Sequence, residues 1–114
     1  MKLTIKDLQD YLYEQYGGWG EETGLFMKLV EEIGEVAEIL NKRSGRKHAD
    51  DNDLQDELAN ELADVIHYVV SIAAINHIDL STTILEKDKK AAIKYHHERN
   101  LEEFILNKEN NHES

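Results

Sequence analysis

Two long stretches, Glu21 to Lys42 and Leu54 to Asn76, repeat apolar residues every three or four positions, and no proline interrupts either. A period near 3.6 held over twenty residues dictates a helix, because a strand alternates with period two and breaks at turns far sooner. The whole chain of 114 residues contains no proline and only six glycines. The expected fold class is therefore all-α, of four-helix-bundle type, with one domain over residues 1–106.

Local signals set the expected boundaries. The first helix should run from Ile5 to Tyr16, with Thr4 as N-cap and Asp7 completing a variant capping box, and "GGWG" at 17–20 should end it. The second helix, from about Glu21, closes on Lys42, Arg43 and Gly45, which suit the negative end of the helix dipole and a helix stop. After the polar connector "RSGRKHADDND", Asp53 is the expected N-cap of a third helix reaching Asn76. "HID" then breaks the pattern, and Asp79 or Ser81 should cap a fourth helix extending to Tyr95 or beyond. The tail "NKENNHES", residues 107–114, is polar and aperiodic and is expected to lack regular structure.

On the second helix, Ile39, Leu25, Val36, Leu29, Leu40, Ile33 and Val30 fill one arc of about 180°. Glu32 falls inside that arc and Glu35 just beyond its edge, while Glu31 and Glu38 lie further round. The third helix repeats the anomaly, with Glu61 inside the arc of Leu54, Leu58, Leu62, Val65, Tyr68, Val69 and Ile72, and Asp64 on its border. A buried carboxylate is costly, and two packed together cost more, unless a proton or a cation neutralises them. No lysine or arginine lies within three residues of Glu32, Glu61 or Asp64. If the two helices pack face to face, Glu32, Glu35, Glu61 and Asp64 form an all-oxygen site suited to Mg²⁺ or Mn²⁺.

The charge balance fits that chemistry. Twenty-four acids against thirteen bases give a net charge of -11, which argues against bare electrostatic binding to nucleic acid or anionic lipid. A polyphosphate ligand would need a bound cation to reverse the local sign. The lack of cysteine excludes disulfides, thiolate zinc sites and cysteine nucleophiles, and an intracellular, cytoplasmic protein is expected. The N-terminal "MKLTIKDLQDYLYEQY" has no continuous apolar segment, and no run approaches the roughly 18 apolar residues of a membrane span, so neither export nor membrane insertion is expected.

The motif "EEIGE" at 31–35, followed after twenty-five residues by "ELAD" at 61–64, resembles the EExxE…ExxD signature of MazG-like nucleotide pyrophosphohydrolases. The similarity extends over about residues 20–96, through "LQDELANELADVIHYVV", "HIDL" and "KDKKAAIKY". The resemblance implies hydrolysis of nucleoside triphosphates between the α and β phosphates with Mg²⁺, giving the monophosphate and pyrophosphate. It implies Glu32, Glu35, Glu61 and Asp64 as metal ligands and Glu31 as a group that orients or deprotonates the attacking water. Lys87, Lys94 and Tyr95 become candidates for the phosphate tail. Trp19 is a candidate for stacking on the base, and Lys42, Arg43, Arg46 and Lys47 could also meet phosphate.

The third helix also carries Ala63, Val70 and Ala74 opposite its main apolar arc, so another copy of the chain is expected against that side, as a homodimer or homotetramer. Three alternatives stay open. The acids could be the solvated face of a non-enzymatic interaction protein. "DVIH" could belong to a di-iron carboxylate bundle, although the second helix has no matching histidine, and His67 is expected at the surface or an interface. Within the enzyme class, a dUTPase-like or histidine-pathway substrate also stays open.

Overall fold

The computed structural model describes residues 1–18, 21–45 and 51–113. These form five helices and, among the described residues, no strand: α1 Ile5–Tyr16, α2 Glu22–Gly45, α3 Asp51–Ile75, α4 Leu80–Lys94 and α5 Leu101–Glu113. By their contacts they group into two compact units, Met1–His77 and Ile78–Ser114.

In the first unit, α1 starts as its sequence requires. The Thr4 hydroxyl accepts the Asp7 amide at 3.0 Å and the Asp7 carboxylate accepts the Thr4 amide at 3.3 Å. This reciprocal pair satisfies donors that a helix start otherwise leaves open.

Helices α2 and α3 form an antiparallel hairpin clasped at both ends. Arg43 Nη2 donates to Gln55 Oε1 at 2.6 Å at one end, and Asn76 Nδ2 donates to Glu22 Oε1 at 2.7 Å at the other. Between these clasps runs a seam with alternating spacings of four and three. It comprises Leu25, Leu29, Glu32, Val36 and Ile39 from α2, and Leu54, Leu58, Glu61, Val65, Tyr68 and Ile72 from α3, all buried or half-buried. That spacing keeps one stripe of each helix facing its antiparallel partner along the whole contact.

The opposite side of α3 is covered by α1, not by another copy of the chain. His67, Val70, Ala74 and His77 share a face by their spacing. His67 meets Tyr16 edge-on, with Tyr16 Oη and His67 Nε2 3.2 Å apart, and His77 lies 5.3 Å from the Tyr13 ring. Val70 and Leu12 are each only 1 % exposed. Ser71 is fully buried and donates to the His67 carbonyl at 2.7 Å, so its hydroxyl is satisfied within α3. The expected contact of Val70 and Ala74 with another subunit is thus corrected, whereas Ala63 is exposed. Flanking by helices on two sides also explains why Asp53–Ile75 is long and apolar enough to meet the criteria for a membrane span.

In the second unit, the Asp79 carboxylate accepts the Thr82 amide at 3.2 Å and caps α4. At the other end His96 adopts a left-handed φ of 56°, and the amides of His96 and His97 return to the Ile93 and Ala92 carbonyls at 3.3 and 2.9 Å. This is a Schellman stop with histidine in the place that glycine usually takes.

The fifth helix goes beyond the four expected. Asn100 and Glu103 form its capping box, their side chains accepting each other's amides at 2.8 and 3.0 Å. The Leu101 amide donates to Asp88 at 2.6 Å, and Lys89 pairs with Glu102 at 3.1 Å, joining α5 to α4. Helix α5 continues through Glu113, into the stretch expected to lack regular structure. A strong start lets the helix propagate at little cost through Asn, Lys and Glu residues that have no apolar period.

Candidate metal centre

Glu32 and Glu61 occupy central positions in the α2–α3 seam, where every neighbouring position is apolar. Asp64 lies one turn further along α3. One carboxylate oxygen from each of Glu32, Glu61 and Asp64 lies within 4.8 Å of the others. Glu32 and Glu61 are half-buried, while Asp64 is exposed at the edge.

Glu61 shows the tension. Its Oε2 is buried and has no hydrogen-bond partner. Its pKa is pushed up from 4.5 to about 7, chiefly by the Glu32 carboxyl beside it, then by desolvation, and further by the negative charges of Glu32, Glu35 and Asp64. The ion pairs among the described residues, Lys6–Asp10, Lys28–Glu31, Lys42–Glu38 and Lys89–Glu102, give none of these acids a cation. Clustered oxygen donors, one buried and unpartnered, fit a hard divalent cation. Without one, the low-cost state is a proton held between Glu32 and Glu61.

Glu35 lies on the same side of α2, exposed and one turn beyond Glu32. It lines an open cleft of about 390 Å³ with Glu38, Ile39, Lys42, Glu57, Asn60 and Glu61. Glu35 thus stands beside the converging group but outside its tightest cluster. Glu57 and Asn60 are additions that the apolar arc does not single out. Their only sequence signal is proximity, since Glu57 precedes Glu61 by one helical turn.

The other expected residues are more dispersed. Glu31 is exposed and paired with Lys28 at 3.1 Å, away from the converging oxygens. That contact raises the Lys28 pKa. His67 is outside the acid cluster and engaged with Tyr16, as an interface residue of α1 and α3. Lys87, Lys94 and Tyr95 are exposed in the second unit, where Lys94 Nζ lies 5.3 Å over the Tyr95 ring and that ring stacks on His97 at 6.3 Å. Trp19, Arg46 and Lys47 lie outside the described residues.

Comparisons with known proteins bear on the chain as a whole. Residues 21–99 match the model of the MazG nucleotide pyrophosphohydrolase domain. The crystal structure of amino-terminally tagged iMazG from Vibrio DAT 722 is similar at a TM-score of 0.63 and 30 % identity, over 82 % of this chain and 98 % of that one. The carboxy-terminally tagged form gives a TM-score of 0.59 and 29 % identity, over 81 % and 99 % of the two chains. No curated protein matches. With a family match spanning well over half its length and the motif's acids meeting in one seam, the chain belongs to the MazG nucleotide pyrophosphohydrolase family.

Proposed function

We propose that the chain hydrolyses nucleoside triphosphates between the α and β phosphates, releasing the nucleoside monophosphate and pyrophosphate. The observation that carries this reading is the meeting of Glu32, Glu61 and Asp64 around a buried, unpartnered carboxylate oxygen. Phosphoryl transfer asks a protein mainly for position and charge neutralisation, and a carboxylate cluster on two rigid helices offers the first.

Glu32, Glu35, Glu61 and Asp64 would hold Mg²⁺, with Mn²⁺ as a substitute. When bound, the cation supplies neutralisation of the phosphate charge and an acidified water. The residues themselves do the rest. Glu32 and Glu61 release their shared proton on loading and stay fixed by the apolar seam around them. Glu35, exposed on the cleft wall, completes the set from the solvent side. Glu31, exposed and paired with Lys28, orients or deprotonates the attacking water. Lys87, Lys94 and Tyr95 hold the phosphate tail, and Trp19 stacks on the base.

Residues 1–106 act as one domain in this reading, because the family match crosses both compact units. The working form is a soluble, cytoplasmic homodimer or homotetramer that binds neither membrane nor nucleic acid. Support for self-association comes from a second apolar stripe. Val30, Ile33 and Leu40 on α2 and Leu62, Ile66 and Val69 on α3 are 40 to 51 % exposed. Each stripe is displaced by one residue from the buried seam in the same chain sense. In an antiparallel pair of right-handed helices that displacement turns both stripes to the same side. A continuous exposed apolar face of this kind marks an interface.

The test is a panel of ordinary and damaged nucleoside triphosphates with Mg²⁺, assayed separately for pyrophosphate and orthophosphate. Pyrophosphate with an equal amount of monophosphate is expected. Orthophosphate as the only released product would overturn the reading.

A further inference from the structure

The cleft beside the carboxylate cluster, of about 390 Å³, falls within the range of small-molecule sites, about 300–1,000 Å³. Among the described residues that line it, Glu35, Glu38, Glu57 and Glu61 supply carboxylates and Ile39 is the one apolar side chain. None is aromatic, so the lining suits a polyanion carried by a cation better than a nucleobase. Only Lys42 and Asn60 bring hydrogen-bond donors.

The helix pattern sets the side on which the cleft opens. Glu35, Glu38, Glu57 and Asn60 each precede a residue of the α2–α3 seam, namely Val36, Ile39, Leu58 and Glu61. The exposed apolar stripe instead follows the seam by one residue, so the cleft lies on the other side of the hairpin. A second copy of the chain seated on the stripe leaves it open.

The two donors are aimed at the same space. A helical side chain leans toward the N-terminus of its own helix. Lys42 therefore leans back over Glu38 toward Glu35, and its Nζ lies 3.8 Å from Glu38 Oε1. These side chains are 53 and 70 % exposed, so the pair is weak and yields to a stronger acceptor. Asn60 adjoins Glu61 and shares a face of α3 with Asp64, one turn on. In the antiparallel hairpin it leans the opposite way from Lys42, toward Glu57 and the Arg43–Gln55 clasp. Both donors thus stand between that clasp and the carboxylate cluster.

We propose that Lys42 and Asn60 receive the pyrophosphate that hydrolysis sets free. The assignment rests on the reading of the chain as a nucleotide hydrolase and adds two substrate-contacting residues to it. As the water oxygen bonds to the α-phosphorus, the bond from that phosphorus to the bridging oxygen breaks, and its electron pair leaves with pyrophosphate. The proton of the water passes to the base. Negative charge therefore grows on the bridging oxygen during the step. The Lys42 ammonium and the Asn60 amide meet that charge as it forms, which favours the transition state over the bound substrate.

Calorimetric titration of pyrophosphate into the full chain at saturating Mg²⁺, beside kcat and KM for a nucleoside triphosphate, tests the assignment. Lys42→Met and Asn60→Ala should each weaken pyrophosphate binding by about tenfold, the effect of one charge-assisted hydrogen bond. Both should lower kcat more than they raise KM, and both should leave Mn²⁺ affinity without pyrophosphate undiminished. Lys42→Arg should recover most of the binding, and Lys6→Met, which removes the same charge from α1, should match the parent chain. Pyrophosphate affinity unchanged in Lys42→Met, or an equal loss in Lys6→Met, would overturn the assignment. Pyrophosphate binding that both cleft variants lose, without turnover of any triphosphate, would count against the hydrolase reading and leave the cleft standing as a pyrophosphate site. Turnover to monophosphate and pyrophosphate that neither variant slows would do the reverse.

Discussion

The carboxyl groups of Glu32 and Glu61 face one another across the α2–α3 seam, and the nearer oxygens of this pair and Asp64 fall within 4.8 Å. No lysine or arginine forms an ion pair with any of the three among the described residues. The structural consequence is a charge problem at the centre of an otherwise apolar contact.

The pH dependence of stability follows from that problem. Glu61 keeps its proton up to about pH 7 in the folded chain but releases it near 4.5 when unfolded. Across that window the folded state binds more protons, so this group makes stability fall as pH rises and adds no further loss above about 7. Denaturant midpoints measured in chelator from about pH 4.5 to 8 should show the decline. Saturating Mg²⁺ should reverse it, because loading requires the deprotonated carboxylates and releases a proton. A Glu61 contribution that rises with pH in chelator would contradict this.

The exposed stripe makes a separate prediction. A charge at Ile33 or Ile66 should shift the chain to monomer in sedimentation without unfolding it, since both side chains are about half exposed. Ile33→Glu and Ile66→Lys are the variants to compare. Sedimentation unchanged from the parent chain in both would remove the stripe from any interface.

His96 offers a test of the helix stop after α4. Its φ of 56° is strained for any residue with a Cβ, and glycine would relieve about 1–2 kcal/mol of that strain. Glycine's extra freedom in the unfolded chain takes back part of the gain. His96→Gly should therefore stabilise the chain by about 0.5–1 kcal/mol in denaturant titration. A loss of stability would mean that the imidazole contributes more than the backbone strain costs.

Much of this architecture is legible in the residues. Thr4 and Asp7 announce the start of α1, and Asp79 the start of α4, because caps are local chemistry. Glu32 and Glu61 stand out because each breaks the apolar arc of its own helix. The partner across each arc is less legible, since periodicity shows which faces are apolar without showing what covers them. Val70 and Ala74 therefore read as a subunit contact, although α1 covers that face. Helix α5 hides for a different reason: its capping pair, Asn100 and Glu103, is plain in "NLEE", but its later residues have no apolar period.

The most direct test of the account is calorimetric titration of Mn²⁺ into the chain and its Glu61→Gln variant. The parent chain should bind Mn²⁺ with release of a proton near pH 7, and its unfolding free energy should rise with the metal by about 2.7 kcal/mol at a hundredfold excess over Kd. Glu61→Gln should keep the helical fold while losing both binding and turnover. Mn²⁺ affinity equal to that of the parent chain in a folded Glu61→Gln would contradict the account.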